Sequence, residues 1–337
     1  VIMSSGMPLN LEEENKALRE TVARLTEEKR KCEEEIERLS QYSSKFSKEF
    51  KVESILGNGF SGCVFETSNS LDDGKYAVKR IAVEPKEEII NKTLREVRAM
   101  AKLDHPNIIR YNSTWIERPP DDWQYKADEE ILENIKSRRR QLLHYKPNSV
   151  FIYIQMQLCK FSLTQWLNEN MVKESRPIHR MKNWFKQIIN AVECIHEHKH
   201  IHRDLKPCNI LYITNDHLKI CDMGIVAQQR VENGVEITMT RTKAGTAEYM
   251  SPEQASFVSR INAKSDIFTL GLILAELCVV MSYEEKVKFF DNYRMGKPSL
   301  AFEDEKTAKF VGWLTNVDNK KRPDCKEMLD HLYLASY

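Results

Sequence analysis

Apolar residues recur every seven positions near the start of the chain. Leu11, Leu18, Leu25, Cys32 and Leu39 form one line, with Asn15, Val22, Lys29 and Ile36 on the line between. Neighbouring positions are mostly Glu, Lys and Arg. Such a pattern over about four heptads argues for a coiled-coil-like helix over 11–40. We expect it to dimerise, whether it is native or an added zipper. Asn15 and Lys29 would be polar seam positions, which cost stability but fix register and strand number. A solvated helix leaning on the main domain is the plainer alternative. Residues 1–10 read as a fragment start or an added scar.

After the polar joint Tyr42-Ser43-Ser44-Lys45 the period changes. Strand character dominates 46–158, in Phe50–Leu56, Cys63–Thr67, Tyr76–Ile81 and Phe151–Gln157, with a hairpin turn at Gly74. One helix is expected from about Glu87 to Leu103, stopped by Asp104-His105-Pro106-Asn107, because the residue before proline avoids helical angles. Residues 117–149 break the rhythm as an insert. It runs from Arg118-Pro119-Pro120 to Lys146-Pro147-Asn148, with a short helix expected around Asp128–Leu143. Arg138-Arg139-Arg140 within it reads as a solvated face rather than a docking patch. From 159 to 337 the pattern is mostly helical, with long segments near 162–172, 180–198, 264–280 and 284–294.

Composition narrows the class. With 337 residues, the chain is long enough for roughly two domains of about 150 residues each. Hydrophobic content of 41% and charged content of 30% are those of a soluble globular protein. A net charge of +1 supplies no global field for nucleic acid or an anionic membrane. No apolar run approaches a membrane span, and the start is not a signal peptide. The eight cysteines include no CxxC pair and no histidine at zinc-site spacing, so free thiols in a reducing, cytoplasmic compartment are expected.

Candidate chemistry lies in motifs of fixed order. Gly57-Asn58-Gly59-Phe60-Ser61-Gly62-Cys63-Val64 precedes Ala77-Val78-Lys79. His202-Arg203-Asp204-Leu205-Lys206-Pro207-Cys208-Asn209, Asp222-Met223-Gly224 and Ser251-Pro252-Glu253 follow. Glycines let backbone amides approach phosphate oxygens. A dinucleotide fingerprint looks similar, but its third glycine opens a helix, whereas Cys63-Val64-Phe65-Glu66 favours a strand.

Over residues 50–335 this order resembles eukaryotic protein kinases. The resemblance implies an α+β, bilobal fold, with a β-rich N-lobe carrying one regulatory helix over 46–158 and an α-helical C-lobe over 159–337. It implies ATP and Mg²⁺ as cofactors. Lys79 would contact the α/β-phosphates and be oriented by Glu96. Asp204 would be the catalytic base, Lys206 would neutralise the transferred phosphoryl, and Asn209 with Asp222 would hold Mg²⁺. Gly57, Gly59 and Gly62 would cover the phosphates, and Leu56, Val64, Ala77 and Leu211 would sandwich adenine. Met156 would guard the back of that pocket, with Gln157-Leu158-Cys159 as the hinge. Methionine at 223, where phenylalanine is usual, would pack beneath Met100 and His202; Cys208 reads as neutral. Lys206 two residues after Asp204 is similar to the serine/threonine branch. By the same analogy Glu253 pairs with Arg322, and Asp266 anchors the C-lobe helix.

A narrower likeness is to kinases acting on the alpha subunit of eukaryotic translation initiation factor 2. It rests on Ile152–Cys159, Tyr249–Gln254, Leu270–Leu277 and the position of the insert, which is shorter than in some relatives. It implies that substrate docks on the helix at about Ser282–Tyr293, and that the chain is a homodimer whose kinase domain dimerises through its N-lobe and autophosphorylates. The candidate phosphosites are Thr240, Thr242 and Thr246, with Arg203 ready to pair with a phosphate. A pseudokinase scaffold is disfavoured because every expected catalytic group is present.

Overall fold

The computed structural model describes residues 11–59, 62–120, 122–136, 145–159, 161–214, 216–222, 229–232, 235–238, 247–256, 261–297, 302 and 304–335. Helix α1 spans Leu11–Gln41, in line with the heptad pattern. Its outer surface carries i,i+3 and i,i+4 ion pairs, such as Arg30 with Glu27 and Glu34. The short α2 (Lys45–Glu49) follows, N-capped by Ser44.

Five strands then form one sheet. They are β1 (Phe50–Gly59), β2 (Gly62–Asn69), β3 (Lys75–Val83), β4 (Tyr111–Glu117) and β5 (Val150–Gln157), in the order β1-β2-β3-β5-β4. Every described pairing among them is antiparallel. Strand side chains alternate between faces. Ala77 and Ile81 of β3, with Ile152, Ile154 and Met156 of β5, join the main core, while Val78, Phe151 and Tyr153 join an aromatic cluster on the other face. Helix α3 (Glu87–Ala101) buries Ile90, Val97 and Met100 against the main core, and Glu87 and Glu88 stand at its positive end.

The aromatic face is closed by the polar joint and the insert. Phe46 stacks on Tyr153, Trp115 stacks on both Phe50 and Tyr153, and Tyr42 meets Trp123 edge to face. Glu117 ties these pieces together. It accepts from Phe46 N at 2.8 Å, Trp115 Nε1 at 2.8 Å and the Tyr42 hydroxyl at 3.1 Å.

The insert helix, α4, is Trp123–Asn134 and not Asp128–Leu143. Two buried side chains explain the shift. Asp128 is wholly buried and takes a two-pronged ion pair from the 3%-exposed Arg80, at 2.5 and 2.7 Å. Gln124, one turn earlier, donates to the same carboxylate at 2.9 Å. Asp128 therefore sits mid-helix as an anchor and does not open the helix. The C-cap is Ile135, and Lys136 beyond it has a φ of 50°. Arg138, Arg139 and Arg140 lie outside the described residues.

The second half is mainly helical, as expected, but also holds a three-stranded sheet of β6 (Phe161–Ser162), β7 (Ile210–Thr214) and β8 (His217–Ile220). Helix α5 is Leu163–Glu169 and α6 is Ile178–Glu197. The backbone of β9 (Gln229–Glu232) pairs with β10 (Val235–Thr238). Helix α7 (Pro252–Ala255) precedes α8 (Ala263–Cys278), whose residues Ile267, Phe268, Leu270, Leu272, Ile273 and Leu274 are buried. Apolar side chains all round mark a helix that runs through a core. Helices α9 (Tyr283–Arg294), α10 (Glu305–Leu314), α11 (Cys325–Asp330) and α12 (Leu332–Ala335) complete the chain. Arg322 and Glu253 form the expected buried pair, at 2.6 and 3.0 Å. No described helix is long and apolar enough to cross a membrane.

Asp128→Ala would leave Arg80 charged and buried without its partner. Chemical denaturation should show a loss of about 3–5 kcal/mol, with much of it recovered in the double variant Arg80→Met/Asp128→Leu. A single-variant loss below about 1 kcal/mol would contradict the anchoring role of this pair.

Candidate functional site

Glycine 62 shows how backbone packing sets up the cleft. Its φ is +117°, and a Cβ there would lie 2.2 Å from the Arg80 carbonyl oxygen. Its need for glycine therefore arises from the approach of β2 to β3, a reason the motif alone does not reveal. At Gly57 and Gly59 a Cβ would meet open space. Phe60 and Ser61 lie outside the described residues.

Lys79 and Arg80 point to opposite faces of β3. Arg80 meets the insert, and Lys79, 1% exposed, ion-pairs with Asp222 across the cleft. Glu96 belongs to α3, but its side chain lies outside the described residues. Asp222 follows β8 with a φ of 55° and so turns its carboxylate back towards β3. Burial alone would raise its pKa, but Lys79 first, by charge and hydrogen bond, and then Lys206 hold it below the ordinary carboxylate range. The result is an ionised carboxylate at neutral pH.

The segment between α6 and β7 carries the other charges. Lys206 Nζ lies 2.8 Å from Asp204 Oδ2, and Asn209 Nδ2 donates to the Asp204 carbonyl at 2.7 Å and to Oδ2 at 3.1 Å. The Cys221 amide donates to the Asn209 carbonyl at 2.9 Å, which joins this segment to the strand leading to Asp222. Asp204, Lys206 and Asn209 are thus gathered by local bonds, and Asp222 is brought near them by sheet pairing of β7 with β8.

Beneath them sits Asp266 of α8, 2% exposed. It accepts from His202 N at 2.8 Å, Arg203 N at 2.9 Å and His196 Nε2 at 2.9 Å. These bonds hold Arg203 at a φ of 68°, in the sparsely populated left-handed region. Buried His202 donates from Nε2 to the Cys221 carbonyl at 3.1 Å and accepts the Asp204 amide on Nδ1 at 3.3 Å. Its imidazole thus links both halves of the charged group.

The apolar residues expected around adenine are partly brought together. Ala77, Met156 and Cys159 are buried in one core, with Val64 and Leu211 packed against it. Ala77 and Met156 are direct partners across β3 and β5. Leu56 is 45% exposed at the outer end of β1. Gln157 N donates to the Arg110 carbonyl at 3.1 Å. Burial pushes the Cys159 thiol up to about 11 and raises that of Cys221, so both are poor nucleophiles.

Tyr111 is a residue the motifs did not single out. Its hydroxyl donates to Met100 Sδ at 3.4 Å, and burial and then Asp222 raise its pKa. It connects α3 to the cleft. No strand is expected from the residue pattern at 111–117, so nothing in the sequence singles it out. Met223, Thr240, Thr242 and Thr246 lie outside the described residues.

Among the described residues no three His, Cys, Asp or Glu side chains are grouped to hold a metal. Asp222 and Asn209 nevertheless offer hard oxygen donors, and Asp222 is kept ionised. This donor pair suits Mg²⁺, which completes its shell with water and substrate phosphate rather than with an all-protein cage.

The chain matches the protein kinase domain family over residues 50–334. It is 37% identical to the interferon-induced, double-stranded RNA-activated protein kinase of Rattus norvegicus, over 86% of this chain and 52% of that protein. It is 24% identical to the eukaryotic translation initiation factor 2-alpha kinase pek-1 of Caenorhabditis elegans, over 87% and 45%. That match runs to 482 positions, more than this chain's 337, so the relative carries residues inside the matched region that this chain lacks. Identity to the eIF-2-alpha kinase GCN2 of Schizosaccharomyces pombe is 25%, over 85% and 23%. The chain therefore spans about half the length, or less, of these curated relatives.

His202 gives the site a pH signature. Burial depresses its pKa, so the neutral form is favoured in the folded state. Its contribution to stability is full above the unfolded value of about 6.5 and is lost as pH falls from there through the lower folded value. The melting midpoint should drop between pH 8 and pH 5.5, and less steeply in His202→Gln. Some slope should remain, because burial also depresses His105. Equal slopes in both proteins would contradict a buried neutral His202.

Proposed function

The chain belongs to the protein kinase domain family, and we propose that it is a serine/threonine kinase that uses ATP and Mg²⁺ to phosphorylate the alpha subunit of eukaryotic translation initiation factor 2. The observation that carries the activity is the gathering of Asp204, Lys206 and Asn209 beside the Lys79–Asp222 pair. Asp204 accepts or orients the proton of the substrate hydroxyl. Lys206, already in contact with that carboxylate, offsets the charge on the transferred phosphoryl and marks the serine/threonine branch. Asn209 holds Asp204 in orientation through Nδ2, and its amide oxygen joins Asp222 as a donor for Mg²⁺. The bound ion would neutralise phosphate charge. Lys79 binds the α/β-phosphates, with Glu96 as its second orienting carboxylate. Gly57, Gly59 and Gly62 cover the phosphates; Leu56, Val64, Ala77, Met156, Gln157, Cys159 and Leu211 enclose adenine.

The substrate reading is supported by the names of the relatives and by α9. This helix is held to the segment before α7. Arg294 Nε donates to the Met250 carbonyl at 2.9 Å, Lys286 pairs with Glu248 at 3.4 Å, and the Tyr283 hydroxyl donates to Glu248 at 2.8 Å. Its outer side bounds an open depression of about 540 Å³ lined by Tyr283, Glu284, Val287, Lys288, Asp291, Asn292 and Met295. A protein substrate docked there would rest on a helix tied to the cleft. Phosphorylation of this subunit would lower translation under stress.

Activation proceeds by dimerisation through α1 and by autophosphorylation at Thr240, Thr242 or Thr246. Arg203 supports the second step, since its buried Nε has no hydrogen-bond partner among the described residues and suits a phosphate. The free cysteines support action in the cytoplasm.

Purified alpha subunit with Mg²⁺ and ATP should gain phosphoserine or phosphothreonine, read by mass spectrometry. Asp204→Ala should lower kcat by at least about 10²-fold while nucleotide binding persists. Vigorous autophosphorylation with an unmodified alpha subunit would overturn the substrate, and near wild-type transfer in Asp204→Ala would overturn the mechanism.

A further inference from the structure

Helix α1 leaves an apolar stripe in solvent. Leu18 is 62% exposed, Val22 54%, Leu25 54% and Ile36 65%. These residues recur on one side of a helix of 31 residues, about 46 Å at 1.5 Å per residue. We infer that α1 pairs with α1 of a second copy of this chain as a parallel, in-register, two-stranded coiled coil. This deepens the dimer reading above and rests on it.

The composition of the two seam lines selects this arrangement. The line Leu11, Leu18, Leu25, Cys32, Leu39 takes the d positions of a heptad, and Asn15, Val22, Lys29, Ile36 take the a positions. Leucine at d with β-branched residues at a favours two parallel strands. The polar layers fix the direction. In register and parallel, each Asn15 meets the other Asn15, and each Lys29 emerges beside Glu28 of the second copy, which precedes it at g. Within one chain Lys29 lies 3.5 Å from Glu33, so its ammonium already leans out of the seam towards carboxylates. An antiparallel pairing sets a against d. Lys29 would then face Leu18 or Leu25, a charge against a leucine with no carboxylate in the layer. The ion-paired Arg30, Glu27 and Glu34 lie off the seam, on the solvent side.

Cys32 reports the arrangement. It is exposed and free, and in the parallel pair the two copies share one d layer. Antiparallel pairing would separate their levels by at least ten residues, about 15 Å, whereas a disulfide needs Cα atoms within about 7 Å. Oxidised glutathione is the oxidant. Two Cys32 thiols lose two electrons and two protons and form one S–S bond, and the glutathione disulfide is reduced to two thiols.

The test uses the full chain. Sedimentation equilibrium should give the mass of two chains. Oxidised glutathione should produce a covalent dimer on a non-reducing gel, reversed by dithiothreitol. Cys32→Leu, which keeps an apolar d layer, should abolish the covalent band, which discounts the exposed Cys208, with the chain still sedimenting as a dimer. A monomer overturns this inference together with the dimer reading. A dimer without the Cys32 bond overturns the parallel register alone, and a trimer overturns the strand number.

Discussion

The buried carboxylate of Asp266 is the point on which the charged site depends. A backbone held at positive φ at Arg203 is unfavourable by about 1–3 kcal/mol and persists only where its surroundings determine it. Asp266 supplies that determination with bonds to the amides of His202 and Arg203. Those two residues precede Asp204, whose amide rests on the His202 ring. The same ring bonds the Cys221 carbonyl, one residue before Asp222. One side chain from a rigid, buried helix thus positions both acidic groups of the cleft, so the loop chemistry is set by the core. Burial works against the charge on Asp266, but the His196 hydrogen bond and the Arg203 amide lower its pKa overall.

A second constraint is the period of β3. Consecutive basic residues cannot share a face of a strand. Lys79 therefore reaches the cleft and Arg80 the opposite face, where the insert helix supplies Asp128. The insert serves as part of the N-lobe's outer wall, with Glu117 fastening the joint from α1 to the same wall. The start of the enzyme domain and the foot of α1 are therefore held together. A pairing force applied along α1 would be delivered to a packed aromatic face rather than to a loose linker.

Much of this was legible in the residues. The glycine loop, Lys79, the His202–Asn209 run and Asp222 carried type and order, and the Glu253–Arg322 pair followed from analogy. The heptad lines gave α1, and the apolar run after Lys264 gave α8. The rest needed three dimensions. Asp128 lies in a charged stretch and is expected to open a short helix, because nothing local reveals that Arg80, 48 positions earlier, is buried over it. Glu117 sits at a strand end, where an acid is unremarked, yet it collects three donors from 42, 46 and 115. Gly62 was legible as a phosphate-loop glycine, but the Arg80 carbonyl beside it was not. The short strands β6, β7 and β8 hide in a helical region because two to five residues carry too little period to separate strand from loop.

Asp266, by this reading, positions the proposed transfer chemistry without touching it. Asp266→Asn keeps the side-chain shape but replaces one accepting oxygen with a donor that faces backbone N–H groups. Single-turnover phosphoryl transfer from saturating ATP, measured below the variant's melting midpoint, is the most direct test. The account predicts a fall of about 10²-fold or more with nucleotide affinity within about threefold of wild type. A wild-type transfer rate in a folded Asp266→Asn protein would contradict it.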